Sequence, residues 1–235
     1  MKAMILSAGF GSRLKPLTLD QPKPLLKIGN ETLLSNTLKF LDNYGIDHVV
    51  INVHYLSEKI INYINGIKLN FNFNITVVEE KAGILDTGGG VLNAIQHFSN
   101  EKFLVINPDT IWNANYLYEL KSLEKLFTSI LDSKCLMLVV DKDKSFDKSF
   151  KGDFNLKKNL ITRSEASKSK YIFTGLQLVK PEIFYGVNSK VFSINKIWDQ
   201  LISNKQLYGM ESKINFLHVS TLRIYEDLIK QYFKH

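Results

Sequence analysis

The sequence predicts an α/β fold with a largely parallel sheet. Strand-like and helix-like runs alternate along it, the pattern of strands joined by helical crossovers. Its 235 residues are enough to bury a sizeable core. At 45% hydrophobic and 23% charged, the composition is that of a globular domain rather than a disordered chain.

Each element has its own signal. "KAMILS" ends in a glycine loop rather than a small-residue cleavage site, so it reads as a buried strand and not a signal peptide. In "ETLLSNTLKFLDNYG", Leu33, Leu34, Thr37, Leu38 and Leu41 recur near helical spacing, and Gly45 is the stop. "HVVINV" (48–53) is a second strand. In "LSEKIINYING", Ser57 is the expected N-cap of a helix and Gly66 its stop. "NITVVEE" is a third strand, "GGGVLNAIQHF" a helix opening on glycines, and "KFLVINPD" (102–109) a fourth strand running into a loop. A long helix is expected over about 113–131, then "CLMLVV" as a fifth strand.

Past Val140 the texture changes. "DKDKSFDKSFKGD" and "SEASKSK" read as polar loops, the first of them exposed. "DFNLKKNLIT" reads as a hairpin turning at Lys158-Asn159, and "YIFTGLQLV" as a strong strand. "SINKIWDQLISNK" and "STLRIYEDLIKQYF" read as helices, with "INFLHV" a short strand between them. No repeat or low-complexity linker divides the chain, so one domain over 1–235 is expected.

The net charge of +7 suits an anionic partner: nucleic acid, a membrane surface or small phosphorylated substrates. No helix carries a basic stripe and no aromatic–basic interleaving marks an RNA surface, so nucleic acid is not expected. No apolar run reaches the roughly 18 residues a membrane span needs, so no membrane partner is expected. The single Cys135 excludes an internal disulfide and sits in an apolar run as a core thiol, which points to the cytoplasm.

The chemistry is concentrated in "SAGFGSRLKPLTLDQPKP" (Ser7–Pro24). Two familiar phosphate loops fail here. There is no Gly-Lys-Ser/Thr string of the Walker type. The dinucleotide fingerprint lacks its third glycine, where Leu14 stands, and its acidic residue, where "INVHY" supplies His54. What remains is Gly9, Gly11, Ser12 and Arg13, then Lys23 held between Pro22 and Pro24. Glycines admit a polyphosphate to the backbone, Arg13 offers a planar fork of donors, and Lys23 adds a compact cation. A backbone nest with two cations suits a triphosphate.

These residues resemble the signature loop of the sugar-1-phosphate nucleotidyltransferases. "LDTGGGVLNAI" (85–95) is similar to that family's base-binding segment, and "VINPDTIW" (105–112) to the segment whose aspartate holds magnesium. "KGDFNL" and "FTGLQLV" follow in order, so the likeness spans essentially the whole chain. The "TGGG" string and the "GDF" segment are most similar to the N-acetylmuramate-1-phosphate uridylyltransferase members. The resemblance implies a Rossmann-like three-layer α/β/α sandwich with a mixed, mostly parallel central sheet, of the nucleotidyltransferase or GT-A-like kind. It implies a nucleotide-binding part over about 1–112 and a sugar-binding part over about 113–235.

The implied reaction joins an NTP, UTP favoured, to a sugar 1-phosphate, N-acetylmuramate 1-phosphate favoured, and releases pyrophosphate. Guanylyl, thymidylyl or cytidylyl transfer to another sugar or to choline phosphate stays open. Arg13 and Lys23 would be catalytic. Ala8, Gly9, Gly11, Ser12, Arg13 and Gly88 would bind nucleotide, with glycine at 88 so that no side chain strikes the base. Asp86, Thr87, Asn107 and Gly175 would bind the sugar phosphate. Asp109 would hold Mg²⁺ (or Mn²⁺), and a monomer or weak dimer is expected.

Four positions depart from the pattern. His218 stands where the family has its second metal aspartate, Ser220 and Pro108 where it has glycines, and Asp86 where the similar members have glutamate. Imidazole is a poor partner for Mg²⁺. Three readings follow: Asp109 and nucleotide phosphates hold the metal alone, His218 favours Mn²⁺ or a softer ion, or turnover is lost and the chain is a nucleotide-binding regulator.

Overall fold

In the strands, successive side chains point to opposite faces, and here both sets are apolar. In β1 (Lys2–Ser7), Ala3 and Ile5 enter one core and Met4 the other. A sheet apolar on both faces must be covered on both. The computed structural model, which describes residues 1–131, 133–164 and 169–233, shows that covering.

After β1 come α1 (Leu17–Asp20), β2 (Lys27–Ile28), β3 (Glu31–Thr32), α2 (Leu33–Tyr44), β4 (His48–Val53), α3 (Ser57–Ile67), β5 (Asn74–Glu79), α4 (Asp86–Ala94), β6 (Phe103–Ile106) and α5 (Asn115–Ser129). Then follow β7 (Cys135–Asp141), β8 (Asn155–Lys157), β9 (Leu160–Thr162), β10 (Tyr171–Val179), α6 (Asn195–Ser203), β11 (Leu207–Ser212) and α7 (Leu222–Tyr232). Nine strands form one sheet in the order β5-β4-β1-β6-β10-β7-β11-β9-β8. Leu34, Leu38, Ile60, Ile64, Leu120 and Leu123 of α2, α3 and α5 pack on one face. Val91, Ala94, Ile197, Trp198 and Leu201 of α4 and α6 pack on the other. This is the three-layer α/β/α sandwich expected.

The strands β5, β4, β1 and β6 are parallel, so Ser7, Val53, Glu79 and Ile106 end along one edge. β10 runs antiparallel between β6 and β7, and its register with β7 shifts between Phe173 and Gln177. β11 pairs parallel with β7. The hairpin β8–β9 turns at Lys158 and Asn159, both at positive φ, as the sequence predicts. α2 begins with a capping box between Thr32 and Ser35 and ends, as expected, on Gly45 at φ 87.

Several details differ. Ser57 does not cap α3; Leu56 precedes the helix in left-handed conformation, and the Ser57 hydroxyl donates to Glu79. Gly66 lies inside α3, which runs on to Ile67. α4 begins at Asp86, two residues before the glycines. "INFLHV" forms only isolated bridges, Thr110 with His218 and Ser145 with Phe216, because it lies between two loops rather than in the sheet. β11 has no counterpart among the expected strands; "LYGMES" lacks a clean alternation and carries Gly209, over which Ile161 packs. The segment after Val140 is not all exposed, since Ser145 and Asp147 are buried. The polar run "SEASKSK" lies largely outside the described residues. Cys135 is a buried core thiol, and burial pushes its thiol up, away from reactivity. Among the described residues no helix is long and apolar enough to cross a membrane.

Candidate active site

The carboxyl edge of the parallel strands is where open α/β sheets hold ligands. Here it opens into a cleft of about 360 Å³ lined by Ala8, Gly9, Gly11, Ser12, Arg13, Lys23, Asn52, Asp86, Thr87, Asn107 and Asp109. That is the size of a small-molecule site. Ten of the residues singled out in the sequence therefore meet on one surface.

The loop after β1 owes its shape to Gly11, at φ 63. A Cβ there would press on Thr18 and on Lys23 at 3.0–3.1 Å, so glycine is needed for conformation and for space. The Thr18 hydroxyl donates to the Gly11 carbonyl at 2.9 Å. Among the described residues, nothing beyond its chain neighbours lies within 4 Å of a Cβ built on Gly9, which faces the open cleft. Arg13 makes no ion pair among the described residues, so its guanidinium is available to an anion.

Lys23 is engaged. Its ammonium donates to Asp109 Oδ2 at 2.5 Å, and His218 Nε2 lies 3.2 Å from the same oxygen. Burial would raise the Asp109 carboxyl, but Lys23 and then His218 overcome it and hold that carboxyl well below the usual range. Among the described residues Asp109 Oδ1 is buried with no hydrogen-bond partner. A buried, ionised oxygen without a donor is unfavourable, and a hard cation is the partner that suits it. Among the described residues no cluster of three His, Cys, Asp or Glu could hold a metal by itself.

His218 reaches Asp109 because residues 216–219 dock on 109–111, with Val219 N donating to the Asp109 carbonyl at 2.8 Å and Ile111 N to the Leu217 carbonyl at 2.9 Å. Its ring stacks on Phe216 at 5.4 Å, with Phe150 on another side at 5.8 Å. Ser220 is buried and donates to Asp147. Burial would raise Asp147, but hydrogen bonds from Ser149 and Ser220 hold it below its ordinary value.

Gly88 does not line the cleft. A Cβ there would strike the Phe192 ring at 2.4 Å, so the collision is with Phe192 rather than with a base. Thr87 faces the cleft, but its hydroxyl accepts from Ile194 N at 2.9 Å. Asp86 sits at φ 61 and its carboxylate accepts from Thr87 N.

A second hollow, of about 170 Å³, joins the first at Asn107. Gly175, at φ 89 in the irregular part of β10, lines it, and a Cβ there would sit 2.9 Å from that of Asn107. His218, Asp153, Arg163, Phe173 and Trp198 are among the other residues that line it. Sequence reasoning missed the last four. Trp198 lies within "SINKIWDQLISNK", expected only as a helix, and Arg163 falls between the expected hairpin and the polar run that follows it.

Residues 2–148 match the Nucleotidyl transferase family. The chain belongs to that family. It is 33% identical over 190 residues, 80% of this chain and 79% of the relative, to an N-acetylmuramate alpha-1-phosphate uridylyltransferase of Neisseria meningitidis. It is 25% identical, over 98% of its length and 66% of the relative's, to a probable mannose-1-phosphate guanylyltransferase of Oryza sativa. Its fold is shared with HddC of Yersinia pseudotuberculosis at a TM-score of 0.74 and 24% identity, covering 98% and 99% of the two chains. The resemblance read from the sequence motifs is borne out, and the protein is a nucleotidyltransferase.

Proposed function

We propose that the cleft joins UTP to N-acetylmuramate 1-phosphate. The observation that carries the reading is one cleft holding an unpaired guanidinium, a lysine and a partnerless ionised oxygen at the carboxyl edge of the sheet. The 33% identity to a muramate-phosphate uridylyltransferase favours these substrates. The likeness to a guanylyltransferase keeps GTP with mannose 1-phosphate as the second reading.

An oxygen of the sugar phosphate attacks the α-phosphorus, and the bond to the β-phosphate oxygen breaks in line. The nucleophile is already ionised, so no general base is needed. The difficulty is bringing two polyanions together: unit charges 4 Å apart repel by about 4 kcal/mol at an effective dielectric near 20. Backbone N–H groups of Ala8–Ser12 cradle the triphosphate, and Arg13 takes up the charge that grows on pyrophosphate. Lys23 turns from Asp109 to the α-phosphate and the incoming phosphate. Asp109 would hold Mg²⁺ (or Mn²⁺) through Oδ1, and that ion would supply neutralisation of phosphate charge. His218 steadies Asp109 through Oδ2 instead of ligating the metal. Asp86, Thr87, Asn107 and Gly175 line the acceptor's path, and Gly88 serves the base side by letting α4 seat on Phe192.

One sheet taking strands from both halves supports a single domain over 1–235. A cytoplasmic role in peptidoglycan recycling, as a monomer or weak dimer, belongs to the same proposal. His218 in the family's aspartate position motivates the contrary reading of a nucleotide-binding regulator. A panel of four NTPs against several sugar 1-phosphates, with Mg²⁺ and then Mn²⁺ and products read by mass spectrometry, separates them. We expect UDP-N-acetylmuramate; nucleotide binding with no product from any pair overturns the enzyme reading.

A further inference from the structure

Glu80 is 3% exposed, and both its oxygens are spent on neutral donors. Oε1 accepts from Asn52 Nδ2 at 2.7 Å and Oε2 from Leu85 N at 2.8 Å. Asn52 Oδ1 in turn accepts from Ser7 N at 3.0 Å. Ser7 N is a backbone donor and the carboxylate an acceptor, so the polarity of the Asn52 amide is fixed at both ends. Leu85 is the residue from which α4 starts, and the positive end of that helix favours the buried charge.

The chain of bonds runs from the end of β1 through β4 to the start of α4. Those ends carry the two walls of the larger cleft: the Ala8–Arg13 loop follows Ser7, and Asp86 follows Leu85. Ser7 and Asn52 line the cleft themselves. Gly90 completes the unit. A Cβ there would lie 2.7 Å from Asn52 Nδ2 and 2.9 Å from Glu80 Oε1, so glycine lets α4 close onto the pair.

We infer that the Asn52–Glu80 pair is a positioning unit for the nucleotide: it sets the distance between the phosphate loop and the start of α4, and through that spacing governs nucleotide affinity without touching the reacting atoms. The inference rests on reading the cleft as a triphosphate site. A merely structural role is the alternative, since losing a buried hydrogen-bond partner costs stability anyway.

The donor–acceptor order separates the two. Glu80→Gln puts an amide N–H against either Asn52 Nδ2 or Leu85 N, and one bond is lost whichever way it turns. Asn52→Asp alone sets two carboxylates together. The exchange Asn52→Asp with Glu80→Gln restores every bond: Ser7 N and Gln Nε2 donate to the aspartate, and Leu85 N donates to Gln Oε1. Kd for UTP and for GTP is measured by calorimetry beside melting temperature for wild type, Glu80→Gln, Gly90→Ala and the exchange. Leu120→Ala, in the core on the opposite face of the sheet, is the destabilised control. The expected result is that Glu80→Gln and Gly90→Ala weaken the preferred nucleotide by roughly tenfold or more, that the exchange recovers most of the loss, and that Leu120→Ala lowers the melting temperature while leaving Kd alone. Variants that melt early yet bind nucleotide as wild type does overturn the inference, as does an exchange that restores melting but not Kd. Wild-type protein that binds neither nucleotide overturns the reading of the cleft, and the inference with it, before any variant is made.

Discussion

At the donor end of the cleft, Gly9, Gly11 and Arg13 leave backbone and guanidinium open to a polyanion, on loops that follow parallel strands. At the acceptor end, Gly175 stands on the irregular antiparallel strand β10 beside Asn107, which follows β6, and the wall includes Phe150, Phe173, Trp198 and Phe216 with Asp153 and Arg163. Arg163 is already held by Asp199 at 2.8 Å and by Asn195 at 2.6 Å. Charge dominates the first end and shape the second. Lys23, Asp109 and His218 lie at the junction. On the proposed reading of the cleft, the contrast assigns phosphate chemistry and sugar choice to different residues, separable by mutation.

The largest effects belong to the donor end. Arg13→Ala and Lys23→Ala are each expected to lower kcat by about 10²–10³-fold, the usual loss when one positioned donor to a developing anion is removed. Pyrophosphate release at saturating substrates measures it; a loss confined to acceptor KM breaks the contrast. Asp109→Asn keeps the shape and removes the charge. We expect a rate loss on the order of a hundredfold that excess Mg²⁺ recovers only in part, read from rate against Mg²⁺ concentration. At the acceptor end, Phe173→Ala is expected to raise KM for the sugar 1-phosphate by roughly tenfold, the scale of a lost aromatic contact, with KM for the nucleotide unchanged.

The smallest effect concerns acid. Asp109 and Asp147 ionise more readily in the folded chain than in the unfolded one. The unfolded chain therefore takes up protons first. The stability these groups contribute is present above the ordinary aspartate range and is lost as pH falls below about 4 towards their folded-state values. Melting temperature at descending pH measures it, and Ser220→Ala, which frees Asp147 of one bond, is expected to soften the fall.

The donor end was legible in the sequence because its residues sit close together and serve the backbone. Gly11 and Arg13 are neighbours of a buried strand, and Gly45 and the Lys158-Asn159 turn announce themselves by conformation. The acceptor end was not, because its wall comes from residues 150 to 216, brought together by a strand that reverses direction. No local pattern marks that reversal. His218 was placed by likeness alone, and the structure does set it 3.2 Å from Asp109. Asn52 and Glu80 left a faint signal: a polar residue inside "VVINV" and a carboxylate ending "ITVVEE" must find partners once buried. Gly88 shows the limit in the other direction, since a glycine run can be explained by a ligand or by a neighbour such as Phe192.

The central claim is that the two ends act on one event, transfer from donor to acceptor. The most direct measurement is pyrophosphate release from UTP with Mg²⁺, followed with and without N-acetylmuramate 1-phosphate. The account predicts release only when the acceptor is present, one pyrophosphate for each nucleotide-sugar formed. Release that proceeds equally without the acceptor, or bound UTP that is never turned over, would contradict it.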